Sequence, residues 1–140
     1  MTTYARPEPL DDEVGVAVIG AGYWGPNLIR NFLNCPTAWL WTVCDLDLQR
    51  AADVVGRRSS IEVTDQLDQV LADPRIEAVA IATPAATHLP IAMAAIEAGK
   101  HVLVEKPLAL SSADARTIAR AADAAGLVAM CDHTSATRRP

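Results

Sequence analysis

Short apolar runs alternate with amphipathic stretches along the whole chain, and the alternation predicts the fold. Residues 14–19 form an apolar, β-branched run that stops at Gly20, the profile of a buried strand. Residues 26–34 read as a helix, with Pro26 in the first turn, where a missing N–H costs no helical bond. Residues 40–44 predict a second strand closed by Asp45, and residues 48–55 a second helix ended by Gly56. A short third strand is expected at 61–63, a helix at 65–71 and a turn at Asp73 and Pro74. Residues 78–82 give the fourth strand. Thr87 is the expected N-cap of a helix that carries Leu89, Ala92, Met93 and Ile96 on one face and ends at Gly99. Residues 101–104 predict the fifth strand. Ser111 caps a helix reaching Ala125, Gly126 ends it, and residues 127–130 predict a sixth strand. Strands joined by single helices demand right-handed crossovers, so the fold class is α/β with a doubly wound parallel sheet.

Composition narrows the picture. The chain has 140 residues, enough for one domain with its own core. Hydrophobic residues make up 51% and aromatic residues only 4%, so Ala, Val, Leu and Ile must fill the interior, as in a sheet covered by helices on both faces. The formal net charge of -5 opposes general affinity for nucleic acid or an anionic membrane, and Arg57–Arg58 is only a doublet. Cys35, Cys44 and Cys131 have neither CxxC nor metal-ligand spacing, so all three are expected as small core residues in a reducing cytoplasm. Residues 1–12 are polar and proline-bearing with no apolar signal core, and no stretch approaches 18 apolar residues. They are expected to be a flexible tail on a soluble, cytoplasmic domain spanning 13–133.

Gly20, Gly22 and Gly25 in "VAVIGAGYWG" match GxGxxG, a weak signal alone and a strong one here. The motif follows a predicted strand and opens a predicted helix, and Asp45 closes the next strand 20 residues past Gly25. In that setting Gly20 makes the tight turn, Gly22 leaves room for a pyrophosphate, and Gly25 permits close packing of helix on strand. The helix N-terminus offers unpaired N–H groups and the positive end of its dipole to the phosphates. A tight turn without a ligand is the competing reading. Asp45 is placed to accept hydrogen bonds from the adenosine ribose and to repel a 2′-phosphate, which predicts NAD over NADP; it could equally cap the following helix, or do both. Leu46 follows it in place of a phosphate-welcoming Arg, although Arg50 can reach around. Tyr23 and Trp24 either cover the edge of the motif or, for Trp24, shield the nicotinamide half.

A second constellation ends the fourth and fifth predicted strands: "ATPAATH", residues 82–88, and "EKP", residues 105–107. The carboxyl ends of parallel strands border the ligand crevice, so these residues would line the same cleft as the glycines. Read singly, Thr83 and Pro84 are a turn, Thr87 and His88 a helix start, and Glu105 with Lys106 a solvated charge pair. The order GAGYWG, CDLD, ATPAATH, GKHVLVEKPLAL nonetheless resembles the N-terminal Rossmann domain of the Gfo/Idh/MocA oxidoreductases over about residues 13–133. The resemblance implies hydride exchange between a nicotinamide and a hydroxyl carbon of a sugar, cyclitol or related small molecule. It puts Lys106 at the reaction centre, positioned by Glu105 and Pro107. Thr83, Pro84, His88 and Glu105 would then join Gly20, Gly22, Tyr23, Trp24, Gly25 and Asp45 around the cofactor, with no metal implied. "GYWGPNLIRNF" looks most like the branch acting on nucleotide sugars.

Lys106 also has a physical case. Hydride leaving a carbinol carbon requires loss of the hydroxyl proton, and an ammonium beside that oxygen stabilises the developing alkoxide or relays the proton. A free lysine, with a pKa of about 10.4, is too weakly acidic to be a base at neutral pH. Burial beside a cationic ring lowers that value and Glu105 raises it, so orientation and electrostatic stabilisation are favoured over lone general-base action.

The chain departs from the resemblance at its end. Members of the family continue into a second, largely antiparallel domain that binds substrate, and through which they mainly associate; this chain stops at Pro140. Similar proteins read His-Thr-Phe, a variable residue, Tyr, Ser or Thr, then Pro, where this one reads "HTSATRRP". One T inserted before a TCN codon for Ser135 restores that pattern, so residues 134–140 are expected to be an aberrant tail on a truncated half-enzyme, with an apolar patch left where the second domain would pack. A cofactor-binding module without catalysis, or a subunit completed by another chain, is the alternative function. A methyltransferase is disfavoured, because it leaves EKP unexplained one crossover after ATPAATH.

Overall fold

The computed structural model describes residues 8–58 and 60–132. The tail expected at 1–12 lies partly outside the described residues, and the expected frame change at 134–140 wholly so. The elements run β1 (Val14–Ile19), α1 (Gly25–Leu33), β2 (Ala38–Cys44), α2 (Leu48–Val55), β3 (Glu62–Thr64), α3 (Leu67–Ala72), β4 (Ala78–Ile81), α4 (His88–Glu97), β5 (His101–Glu105), α5 (Ser112–Ala125) and β6 (Ala129–Asp132). The six strands form one parallel sheet in the order β3-β2-β1-β4-β5-β6. The doubly wound α/β fold read from the alternation of elements is therefore the observed one. Order reverses between β1 and β4, which opens a crevice beyond their carboxyl ends.

Both sheet faces are covered, which explains why the strands read as continuous apolar runs rather than alternating ones. On one face Val18, Val43 and Ala80 pack with Leu28 and Ile29 of α1 and with Ala51 and Val55 of α2. On the other, Ala17, Ile19, Val79, Ile81, Val102 and Val104 meet Ala92, Ala95 and Ile96 of α4 and Ile118 and Ala122 of α5. Small alanines on the helices let them sit close to the branched residues of the strands.

Four expectations are corrected. β2 begins at Ala38, not at 40, because Trp39 and Trp41 extend it; their rings meet edge to face at 5.9 Å, and the Arg75 guanidinium lies 4.3 Å from the Trp41 ring centre. The pairing of β1 with β2 slips between Val16 and Ala17 to accommodate this segment. β6 begins at Ala129, not at 127. Gly126 closes α5 in the left-handed conformation, which commits the Leu127 N–H to Ala122 O at 2.9 Å, and the Val128 N–H goes to His101 Nδ1 at 3.0 Å. Thr87 does not cap α4. Residues Ala85–Thr87 form a 3₁₀ turn, and the Thr87 hydroxyl instead bonds Pro84 O at 2.6 Å and Thr83 Oγ1 at 2.7 Å. Of the three cysteines only Cys44 is buried. Cys35, in the turn after α1, and Cys131, on the edge strand, are half-buried. None of the helices among the described residues is long and apolar enough to cross a membrane.

Candidate functional site

The crevice at the switch point is a cleft of about 1110 Å³ bounded by Gly20, Gly22, Tyr23 and Trp24 after β1, Asp45 to Asp47 and Arg50 after β2, Thr83, Pro84 and Thr87 after β4, and Glu105–Lys106 after β5. Four separate loops, each ending a parallel strand, thus converge on one space.

The glycine turn is shaped by its backbone. Gly20 has φ of +98°, a conformation that strains any residue with a Cβ, and a Cβ there would also lie 2.7 Å from Ala82 O. At Gly25 a Cβ would run into Gly20 O and stand 2.9 Å from Gly20 C, so the first turn of α1 rests directly on the loop. Gly22 differs: its only near neighbour would be the Arg50 Nη1 tip at 3.3 Å. The space above Gly22 opens into the cleft. Among the described residues no side chain caps α1 and no acidic residue occupies its first turn, so its positive end, which begins just after the cleft residue Trp24, carries no capping counter-charge.

Asp45 ties two of these loops together. Its Oδ2 accepts from Ala21 N at 2.7 Å and its Oδ1 from Asp47 N at 2.7 Å. It does not cap α2. That task falls to Asp47, whose Oδ1 accepts from Arg50 N at 3.1 Å and whose carboxyl is held below its usual range chiefly by that backbone N–H. The Asp45 carboxylate keeps further lone pairs, since each oxygen holds one of roughly two possible bonds. Arg50 is half-exposed, and among the described residues its guanidinium is tethered only by a 3.5 Å contact to Asp47 Oδ2.

At the other end of the cleft Tyr23 is 95% exposed and stacks on half-buried Trp24, with ring centres 6.3 Å apart. Lys106 is exposed and lines the cleft, and its bond to Pro107 is cis. Glu105 is only 7% exposed. Burial first, and then the neighbouring Asp132 carboxylate, pushes its pKa up to about 7, against the opposing pull of Trp24 and of the Lys106 backbone N–H. Its Oε1 has no hydrogen-bond partner among the described residues.

Two expected cofactor contacts stand behind the wall. His88 is buried, with Nδ1 2.7 Å from Pro107 O and Nε2 2.8 Å from Thr83 O. It cross-links the loops after β4 and β5 instead of facing the cleft, as its helix-start reading implied. Gly25 likewise packs under the loop. Sequence reasoning passed over Asp47 and Asp65 as lining residues, and Asp132 entirely. Asp47 was legible as the residue before the predicted helix at 48; Asp132 had no local signal, because only pairing of β5 with β6 brings it to Glu105.

The profile of the Gfo/Idh/MocA oxidoreductase family, NAD-binding Rossmann fold, matches residues 14–133. The chain belongs to this family. Two Bacillus subtilis relatives are scyllo-inositol 2-dehydrogenase (NAD(+)), 35% identical over 85% of this chain and 35% of its own length, and scyllo-inositol 2-dehydrogenase (NADP(+)) IolW, 30% identical over 95% and 37%. Among solved structures, GenD2 from gentamicin A biosynthesis in complex with NAD superposes with a TM-score of 0.82 at 41% identity, over 91% of this chain and 36% of that one. UDP-N-acetylglucosamine 3-dehydrogenase GnnA from Acidithiobacillus ferrooxidans superposes at 0.78 and 30% identity, over 86% and 38%. The chain spans little more than a third of the length of these Gfo/Idh/MocA relatives. It has an NAD-binding Rossmann domain, and the family includes forms named for NAD and for NADP.

Proposed function

We propose that this domain binds NAD along the cleft, diphosphate over Gly20–Gly25, adenosine ribose at Asp45, nicotinamide toward Trp24, Glu105 and Lys106. The observation that carries the reading is Gly22: a bare backbone position, open to the cleft, between a strained glycine turn and an uncapped helix N-terminus. Those features suit a dianionic diphosphate, which needs close backbone approach and N–H donors. NAD is preferred over NADP because Asp45, anchored on both Ala21 N and Asp47 N, cannot swing away from a 2′-phosphate. Thr83 and Pro84 wall the cleft, and His88 acts through them. Titration of NADH and NADPH fluorescence against the purified chain tests the proposal. Saturable NADH binding, tighter than NADPH, is expected; uptake of neither would overturn it.

The activity we infer for the whole protein is oxidation or reduction of a hydroxyl carbon in a sugar, cyclitol or nucleotide sugar. When bound, the nicotinamide supplies the hydride donor or acceptor. Lys106 extends its ammonium into the cleft and stabilises charge on the substrate oxygen, while Glu105 and Pro107 fix its backbone. In a full-length relative with the same EKP segment, Lys106→Ala is expected to abolish turnover and keep NADH binding; retained turnover refutes the role. Assays of this chain with sugars and cyclitols separate an enzyme from a cofactor-binding module. We assign the protein to the cytoplasm on the strength of its three free thiols, and fractionation checks this.

A further inference from the structure

We propose that Asp132 is a positioning residue of the cleft: it shares a proton with its register partner Glu105 across the β5–β6 pair, beside Lys106. The two residues are register partners at the carboxyl ends of their strands. Neighbouring strands lie about 4.8 Å apart and paired side chains leave on the same face, which sets the two carboxyl groups side by side on one face of the sheet. Glu105 is buried, makes no ion pair among the described residues, and has one oxygen without a partner. Two carboxylates this close cannot both ionise without large cost, and one proton between them removes it.

The groups beside Glu105 are Asp132, its register partner on β6, neutral Trp24 from the start of α1, and Lys106 next in its own chain; Cys131, the neighbour of Asp132 on β6, leaves on the opposite face of the sheet. The Cys131 thiol is pushed up chiefly by burial. While the pair holds its proton, the Lys106 ammonium is not neutralised by its neighbour. Once the proton leaves, Glu105 offers a charged acceptor to whatever occupies that end of the cleft. The link to a dinucleotide rests on the function proposed above; the proton sharing does not.

Carboxyl ¹³C NMR of the ligand-free chain tests the pairing. Glu105 is expected to titrate with a midpoint of about 7. In Asp132→Asn the midpoint should fall by at least about one unit, and Asp132→Glu should restore it. A wild-type midpoint near the ordinary value of about 4.3, or one unmoved in Asp132→Asn, overturns the proposal. With NADH, affinity should bend at the Glu105 midpoint and the bend should move to lower pH in Asp132→Asn; saturable binding with no bend in the wild type overturns the positioning role. The ligand-free titration decides the pairing even where no dinucleotide binds, an outcome that would count against the dinucleotide reading instead.

Discussion

Replacing Gly22 by alanine should weaken dinucleotide binding at least about tenfold without loosening the fold. Gly22 does not require positive φ, so alanine fits its backbone, and at compatible sites that exchange stabilises by roughly 0.4–1 kcal/mol by restricting the unfolded chain. The added methyl would meet only Arg50 Nη1 at 3.3 Å, the end of a half-exposed side chain that can move aside. It would, however, stand where the proposed diphosphate touches the main chain. Losing one charge-assisted backbone bond costs about 1.5–3 kcal/mol, which is about 10- to 100-fold in affinity. Gly25→Ala is the control with the opposite signature. Its Cβ collides with Gly20 O, and Gly20 is pinned by its own N–H to Cys44 O at 2.7 Å, so backbone must shift. Overpacking of that kind costs about 1–3 kcal/mol of stability. Thermal melts and NADH fluorescence titrations on the two variants give the comparison. If Gly22→Ala binds NADH within about twofold of wild type, the claim that a phosphate lies over that residue is wrong.

Ser111→Ala removes the hydroxyl that accepts from Asp114 N at 3.1 Å and should lower stability by about 1 kcal/mol in urea melts, with NADH binding unchanged. Lys100→Met leaves Asp73 O and Ile76 O without the ammonium that now bonds them at 2.8 and 2.6 Å, and should cost on the order of 2 kcal/mol by the same measurement. Because Glu105 binds its proton more tightly folded than unfolded, it adds stability that is complete below about pH 4 and is lost as pH rises to about 7. Stability of wild type minus Glu105→Gln, followed across that interval, should therefore decline with pH; a rise would contradict the sign.

The parallel sheet was legible because its central strands are buried on both faces, and β-branched runs punctuated by Gly20, Gly56, Gly99 and Gly126 mark where the chain reverses. The positions of β2 and β6 were less so, since a tryptophan pair and the closure of α5 set their starts. The same division holds at the site. Gly20, Gly22, Gly25 and Asp45 stood out by spacing, for a dinucleotide motif has its glycines and its acid at fixed separations on one strand-turn-helix unit, whereas Lys106 was marked only by the resemblance that the EKP segment carries. That His88 turns inward to clasp two loops is decided by a contact between residues 19 apart in sequence, and which acid caps α2 by where that helix begins. Sequence by itself determined the order of strands and helices along the chain and the position of the glycine turn after β1, because both depend on local periodicity and on residues lacking a Cβ. Tertiary structure alone decided that Asp132 meets Glu105, because their 27-residue separation is closed only when β6 pairs with β5 at the edge of the sheet.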